Sequence, residues 1–232
     1  MRNIFLAIIS IVIIGCSSNS YPPPCMELES ENLTSLYFPI ALGNKWNYNV
    51  VKIDGDEKKK ENYELELCEI DTIYYVKNGK RIPFEAYRAC RDNEKSWSFY
   101  FVKCSDGAHL LTINDWYNKE LESGWLIPNS PNEGDVLNNM EGYVWRGQDV
   151  ITVPSGEYQV WILEELRELN RKEMKMYKDH RIDGNKTVRR RYYFAEGVGL
   201  IKTEEYGAPG VLTSFMQMND YNIQNNRGGE AK

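Results

Sequence analysis

Cys16 is the residue whose position most clearly implies chemistry, because its thiol directly follows a short apolar segment. Residues 4–14 are almost entirely apolar, Arg2 precedes them, and the small residue Gly15 separates them from the cysteine. A basic start, a short apolar run and a small residue before the cleavage point are typical of a secretory signal peptide. The run is much shorter than the roughly 20 residues that a membrane-spanning helix needs. The pattern therefore predicts export.

The segment Ile13-Ile14-Gly15-Cys16 resembles the lipobox of bacterial lipoproteins. This resemblance implies that residues 1–15 are a lipoprotein signal peptide and that residues 16–35 are the lipidated Cys16 and its tether. Acyl chains contribute about 0.8 kcal/mol per buried CH₂, so the membrane is the expected partner of this end of the chain. We expect a lipid-anchored protein of the cell envelope, where Ser17 favours the outer membrane and the side of that membrane stays open. A plain secretory signal is the alternative.

The remaining cysteines are even in number, which suits disulfides in an oxidising compartment: Cys25, Cys68, Cys90 and Cys104. Asn78-Gly79 is a strong signal for a two-residue hairpin turn. A hairpin centred there places residue 68 opposite residue 89, so one β-bulge, with Pro83 as its candidate position, would join Cys68 to Cys90. Cys25 would then pair with Cys104. Free thiols are the alternative.

The residue types needed for catalysis or metal binding form no familiar arrangement. His109 and His180 are isolated, and the sequence contains no Cys-x-x-Cys pair, Gly-x-Ser-x-Gly elbow or His-Glu-x-x-His motif. Asp115 and Glu120 could form a glycosidase-like carboxylate pair, but carboxylates are abundant in this chain. We therefore expect no enzyme activity, no metal site and no cofactor.

Three tryptophans are candidates for ligand binding: Trp116, Trp125 and Trp145. Pockets for small ligands combine apolar walls with a few polar groups, so these indoles could line a groove for sugar rings or an acyl chain. The alternative is that the three side chains pack in the core of the domain.

Three consecutive arginines are the second candidate for binding: Arg189, Arg190 and Arg191. They end a basic segment, residues 171–191, that could meet lipid headgroups or an acidic partner. The alternative is cross-strand pairing with the acidic residues of segment 61–71. The whole chain has a net charge of −6, so nucleic acid is not an expected partner.

The elements that would position these residues are mostly strands. Trp46, Tyr48 and Val50 alternate with polar residues, and turn-forming dipeptides recur at short spacing along the chain. The pattern predicts a mainly β domain over residues 36–221, a single antiparallel meander of about ten strands, with a disordered tail at 222–232. Residues 164–177 favour a strand over a helix, and residues 115–133 favour a loop that could contain a short helix.

Three phrases of the sequence resemble, in order and spacing, a group of uncharacterised bacterial lipoproteins. They are residues 37–48 (YFPIALGNKWNY), 153–158 (VPSGEY) and 192–202 (YYFAEGVGLIK). The resemblance implies one curved antiparallel sheet, partly closed like a half-barrel. It implies no catalytic residues.

These observations leave three hypotheses for function. The first is a lipid-anchored, non-enzymatic β-domain that binds an apolar ligand or an envelope protein, for which a deep apolar cavity would be expected. The second is a carbohydrate-binding surface lipoprotein with exposed, coplanar tryptophans. The third is an envelope hydrolase with two carboxylates about 5–9 Å apart in a cleft.

Overall fold

The computed structural model describes residues 37–54, 56–77, 79–91, 94–104, 106–115, 119–137, 142–168, 187–207 and 211–223. The strands in these residues are β1 (Lys45–Asp54), β2 (Glu57–Lys77), β3 (Lys80–Arg91), β4 (Glu94–Cys104), β5 (Gly107–Asp115), β6 (Glu120–Pro128), β7 (Tyr143–Val153), β8 (Gly156–Glu168), β9 (Thr187–Ala195), β10 (Gly199–Gly207) and β11 (Val211–Asn222). The described part of the chain contains no α-helix. The predicted mainly β class is confirmed.

All strands belong to one sheet in the order β3-β4-β5-β6-β2-β1-β11-β10-β9-β8-β7, with β3 also paired to β2. Neighbours along this order are antiparallel, apart from one parallel bridge between Tyr74 of β2 and Glu120 of β6. The sheet is not closed. It contains β6 inside the 115–133 segment for which we expected a loop, because pairing of this segment with β5 satisfies its backbone.

The sheet is strongly curved at two places. At the first, the backbone N–H of Tyr74 donates to the carbonyl of Lys119, 2.9 Å away, so β6 returns to the side of β2. Lys119 has a φ of 51°, and its ammonium lies 2.5 Å from the Asp71 carboxylate. At the second, the hydroxyl of Ser155 in the β7–β8 turn donates to the carbonyl of Met218 in β11, 3.3 Å away. The second contact therefore brings together strands that are not neighbours in the sheet.

The main hydrophobic core fills the inside of this curve. Its largest side chains are fully or almost fully buried: Trp46, Tyr48, Leu67, Trp145, Leu163, Ile201 and Met218. A second, smaller core lies between strands β2 to β5 and contains Ile73, Phe84, Ala86, Tyr100, Val102, Cys104 and Leu111. Strand β4 contributes to both cores, with Phe101 in the first and Tyr100 in the second, because its two faces alternate.

The first and third of the three sequence phrases, residues 37–48 and 192–202, contact each other in the folded chain. The indole N–H of Trp46 donates to the carbonyl of Val198, 2.7 Å away, and the Tyr48 hydroxyl donates to the carbonyl of Leu200, 2.9 Å away. Between these two carbonyls, Gly199 has a φ of 104°, and a Cβ there would lie 3.5 Å from the Trp46 nitrogen. These hydrogen bonds therefore join strand β1 to the β9–β10 turn and to the start of β10.

Cys68 and Cys90 form the disulfide that their spacing predicts, with their Cα atoms 5.9 Å apart. The bulge that makes it possible lies at Cys68 itself, because the β2–β3 register shifts between Leu67 and Glu69. Pro83, the expected bulge position, instead pairs regularly with Tyr74. Cys104 is also disulfide-bonded. Its predicted partner, Cys25, lies outside the described residues.

Several other expectations fall partly or wholly outside the described residues. Strand β8 continues to Glu168, in agreement with the strand predicted for 164–177, and the rest of that segment is not described. Strand β11 ends at Asn222, one residue into the predicted tail. The signal peptide, Cys16 and the tether are not described. Nothing in the described part of the chain is an extended apolar helix of the kind that crosses a bilayer.

Candidate binding site

The predicted arginine run lies in the middle of β9, between the acidic pairs of β8 and β10. In the register, Arg190 is opposite Glu165 on one side and Glu205 on the other. Because side chains alternate along a strand, Arg190 occupies one face of the sheet and its two arginine neighbours occupy the other. For these three arginines the expected pairing with segment 61–71 is therefore wrong, because β2 is not adjacent to β9. The rest of the basic segment, 171–186, lies outside the described residues.

Arg190 is a buried ion partner, with its side chain only 4% exposed. Its Nε lies 3.0 Å from Glu205 Oε2 and its Nη1 lies 3.6 Å from Glu165 Oε2. The Tyr192 hydroxyl donates to the same oxygen of Glu165 at 3.0 Å. Burial raises the pKa of the Tyr192 and Tyr143 hydroxyls, and the charge of Glu165 raises both further. This cluster is held within the protein and presents no guanidinium to a ligand.

On the opposite face, Arg191 and Arg146 both donate to the Glu164 carboxylate, each through Nε at 3.0 Å. The Arg189 guanidinium lies 4.4 Å from the centroid of the Tyr206 ring, a cation–π contact. All three arginines of the run therefore have partners in neighbouring strands.

The Glu204 carboxylate on this same face is bound by three donors. The Tyr193 and Tyr206 hydroxyls donate to its Oε2 at 2.5 and 2.7 Å, and the Lys202 ammonium lies 2.6 Å from its Oε1. Burial alone would raise the pKa of Glu204, but these hydrogen bonds lower it below its usual value. Such a carboxylate stays ionised and is unsuited to act as a general acid.

The two residues that the sequence suggested as a glycosidase-like carboxylate pair are neighbours in the backbone pairing of β5 with β6. Asp115 and Glu120 are directly opposite each other at the end of the β5–β6 hairpin. Glu120 lies 3.4 Å from the guanidinium of Arg81. The side chain of Asp115 is not described.

Of the three candidate tryptophans, Trp145 lies in the main core at 1% exposure, in edge-to-face contact with Trp161. It is therefore not accessible to a ligand. Trp125 pairs through its backbone with Leu110 in β5, and its side chain is not described. Trp116 lies outside the described residues.

Cys104, Asp106 and His109 bring three potential metal-binding atoms within 4.8 Å of one another. The Cys104 sulfur is part of a disulfide, so it is no thiolate and cannot ligate a metal as one. These residues therefore do not fit a metal site.

The face of the sheet formed by β11, β1 and β2 carries a group of amide side chains that we call the amide groove: Asn47, Asn49, Asn62, Gln217 and Asn219. The β1 register places Asn49 opposite Gln217 on one side and Asn62 on the other. Two adjoining depressions of about 290 Å³ each lie here, with Asn49 and Asn62 lining both. Glu64 lines the first and is held by the Lys45 ammonium at 3.3 Å.

Sequence reasoning missed the amide groove, although part of the signal was visible. Asn47 and Asn49 alternate with the buried Trp46 and Tyr48, which predicts that both amides are on the outer face of β1. Gln217 is far away in sequence, and only the pairing of β1 with β11 brings it beside Asn49.

Comparison with known proteins gives distant structural similarity. No family model matches the chain, and no curated protein matches it. A Bacteroides fragilis NCTC 9343 protein, assigned as exported and with a YmcC-like fold, is similar in structure (TM-score 0.41, 12% identity, 81% of this chain and 99% of that chain). A Parabacteroides distasonis ATCC 8503 protein assigned as a lipoprotein is also similar (TM-score 0.36, 12% identity, 82% and 99%).

Proposed function

We propose that this protein is a lipid-anchored, non-enzymatic binding protein of the cell envelope, and that it binds through the polar outer face of its sheet. The observation that carries this proposal is the contrast between the two faces. The inside of the curve is filled by side chains of 0 to 9% exposure, among them Trp46 and Trp145. The depressions of the amide groove are on the opposite face and are lined mainly by polar side chains.

This contrast between the two faces favours a polar ligand or an envelope protein over the apolar ligand of the first hypothesis. An apolar molecule inside the curve would have to displace close-packed aromatic side chains, which costs several kcal/mol for each large residue moved. A polar ligand on the outer face displaces only water.

The ionisable groups support binding without catalysis. An acid–base pair needs two groups whose pKa values are pushed apart. Instead, Glu204 has a lowered pKa and three donors, and Glu164 is bound by two guanidinium groups. Both carboxylates are therefore already neutralised by groups of the protein.

The anchor is supported by the Gly15-Cys16 sequence behind an apolar run. Its test is the Cys16→Ser variant expressed in a bacterium with a lipoprotein pathway. We expect the native protein to fractionate with membranes and to carry the mass of a lipid, and the variant to be released. Equal membrane association of both proteins would contradict the anchor.

The binding role is tested by native mass spectrometry of the full lipidated protein, purified from its own envelope in detergent and compared with a sample crosslinked before extraction. A co-purifying polar mass, or a crosslink that maps to β11, β1 or β2, would support the proposal. An apolar mass, or clean protein with no crosslink on this face, would contradict it.

A further inference from the structure

We propose that the amide groove binds a polyhydroxylated glycan chain, with its amides as the hydrogen-bonding groups. This inference rests on the proposed binding function and names the ligand class of that face.

The groove has the spacing and the free hydrogen-bonding capacity that such a ligand needs. Adjacent strands lie about 4.8 Å apart, so Gln217, Asn49 and Asn62 form a row of amides at that interval across three strands. Each amide offers two N–H donors and one carbonyl acceptor. Within the described residues, the contact of Asn49 Nδ2 with Asn219 Oδ1 at 3.3 Å is the single hydrogen bond between these amides.

The chemistry of the groove selects hydroxyl groups over charged ligands. A hydroxyl both donates and accepts, which matches an amide on both counts. The Glu64 carboxylate in the same depression can accept from a further hydroxyl, and the Lys45 ammonium lies between it, at 3.3 Å, and Glu66, at 2.9 Å. A phosphate or an acidic polymer would instead need several cations. The lining of the second depression contains one, Lys60, and the Glu64 carboxylate lines the first.

The position of the groove within the sheet argues against an extended peptide as the ligand. A peptide that adds to a sheet bonds to the main chain of an open edge strand. Strand β1 is hydrogen-bonded to β2 on one side and to β11 on the other, so it offers no open edge. A protein partner would also favour an apolar centre, whereas Val51, the aliphatic side chain in the lining, is only 6% exposed.

The test uses the full lipidated protein in detergent. Binding is measured by ligand-observed saturation-transfer NMR with a panel of hexasaccharides of glucose, mannose, galactose and N-acetylglucosamine. The groove variant is Asn49→Ala/Asn62→Ala. The matched control is Gln148→Ala/Gln159→Ala, which removes another amide pair of the same sheet, joined by a 2.8 Å hydrogen bond on β7 and β8. Tryptophan fluorescence checks that each variant is folded.

We expect at least one glycan to bind the native protein. A neutral hydrogen bond is worth about fivefold in affinity, so the groove variant should bind roughly 25-fold more weakly. The control should keep its affinity within about twofold. If the double variant fails to fold, the exposed single change Asn62→Asp, which removes two donors, replaces it with an expected loss of about fivefold.

Two results would overturn the glycan proposal: no binding by any member of the panel, or equal loss in the groove and control variants. If the glycans fail and a protein or another polar molecule still crosslinks to β11, β1 or β2, the ligand class is wrong and the proposed function stands. If neither is found, both proposals fail.

Discussion

Replacing Arg190 with methionine removes the cation that lies between Glu165 and Glu205. The Arg190 and Glu165 side chains are 4% and 1% exposed, and Glu205 is 13% exposed, so water cannot readily replace the lost guanidinium. Breaking a buried ion pair by removing one partner costs about 3–5 kcal/mol. Glu165 keeps the Tyr192 hydroxyl at 3.0 Å and the Arg167 guanidinium at 3.3 Å, so we expect the lower end, about 3 kcal/mol. That is a large part of the roughly 5–15 kcal/mol that stabilises a typical domain.

The measurement is urea-induced unfolding at neutral pH, followed by the fluorescence of the buried Trp46 and Trp145. The matched control is Arg189→Met, one residue away on the opposite face, which loses a cation–π contact with Tyr206. Such a contact at a partly exposed site is worth about 0.5–1 kcal/mol. The unfolding free energy of Arg190→Met should therefore fall about 2 kcal/mol further than that of the control.

A second variant separates lost charge balance from lost packing. Adding Glu205→Gln to Arg190→Met removes the carboxylate that has lost its cation, whereas Glu165 keeps the Arg167 guanidinium 3.3 Å away. We expect this double variant to be more stable than Arg190→Met alone, a coupling that a double-mutant cycle measures directly. The reasoning is refuted if Arg190→Met costs no more than Arg189→Met, or if the added Glu205→Gln destabilises the protein further.

Three more predictions concern the disulfide, an ionised carboxylate and a close backbone contact. Replacing both Cys68 and Cys90 with serine should lower the unfolding free energy by about 3 kcal/mol, because 22 residues separate the two cysteines. Dithiothreitol should then lower the urea midpoint of the variant less than that of the native protein, since the Cys104 disulfide is present in both. The pKa of Glu204 is lowered in the folded state, so its stabilisation is present above the unfolded value near 4.3 and is lost as the pH falls through the folded value. Glu204→Gln should therefore reduce the loss of stability on acidification, and an unchanged acid transition would contradict this. In thermal unfolding, Gly107→Ala should destabilise the protein by about 1–3 kcal/mol more than Gly79→Ala. The Cβ of an alanine at 107 would overlap a backbone carbonyl of β6, whereas a Cβ at 79 would lie in open space. Equal effects of the two substitutions would refute the close contact at Gly107.

Local sequence patterns were sufficient to predict the structure wherever strand and turn signals lie close together in the chain. The alternation around Trp46 predicted the inner face of β1, and the turn at residues 78–79 predicted the hairpin that joins Cys68 to Cys90. In a hairpin the register is counted outward from the turn, so few residues are needed to specify it.

Two predictions made from local sequence were wrong, because the pairing between strands determines the structure at those positions. The bulge is at Cys68, where the register between β2 and β3 shifts, and Pro83 remains in a regular pair with Tyr74. Strand β6 mixes glutamate, serine and glycine with its apolar residues, and it is defined by its ladder with β5. Neither outcome has a periodic signal in the sequence.

The sequence by itself was sufficient to predict the β class, an export signal and the outer-face position of Asn47 and Asn49. Each of these predictions depends on residues that are neighbours in the chain. Only the tertiary structure decided that the arginine run meets the glutamates of β8 and β10, and that Gln217 lies beside Asn49. The reason is physical: contacts across a sheet follow the order of its strands, and that order is set by which strands together bury the two hydrophobic cores.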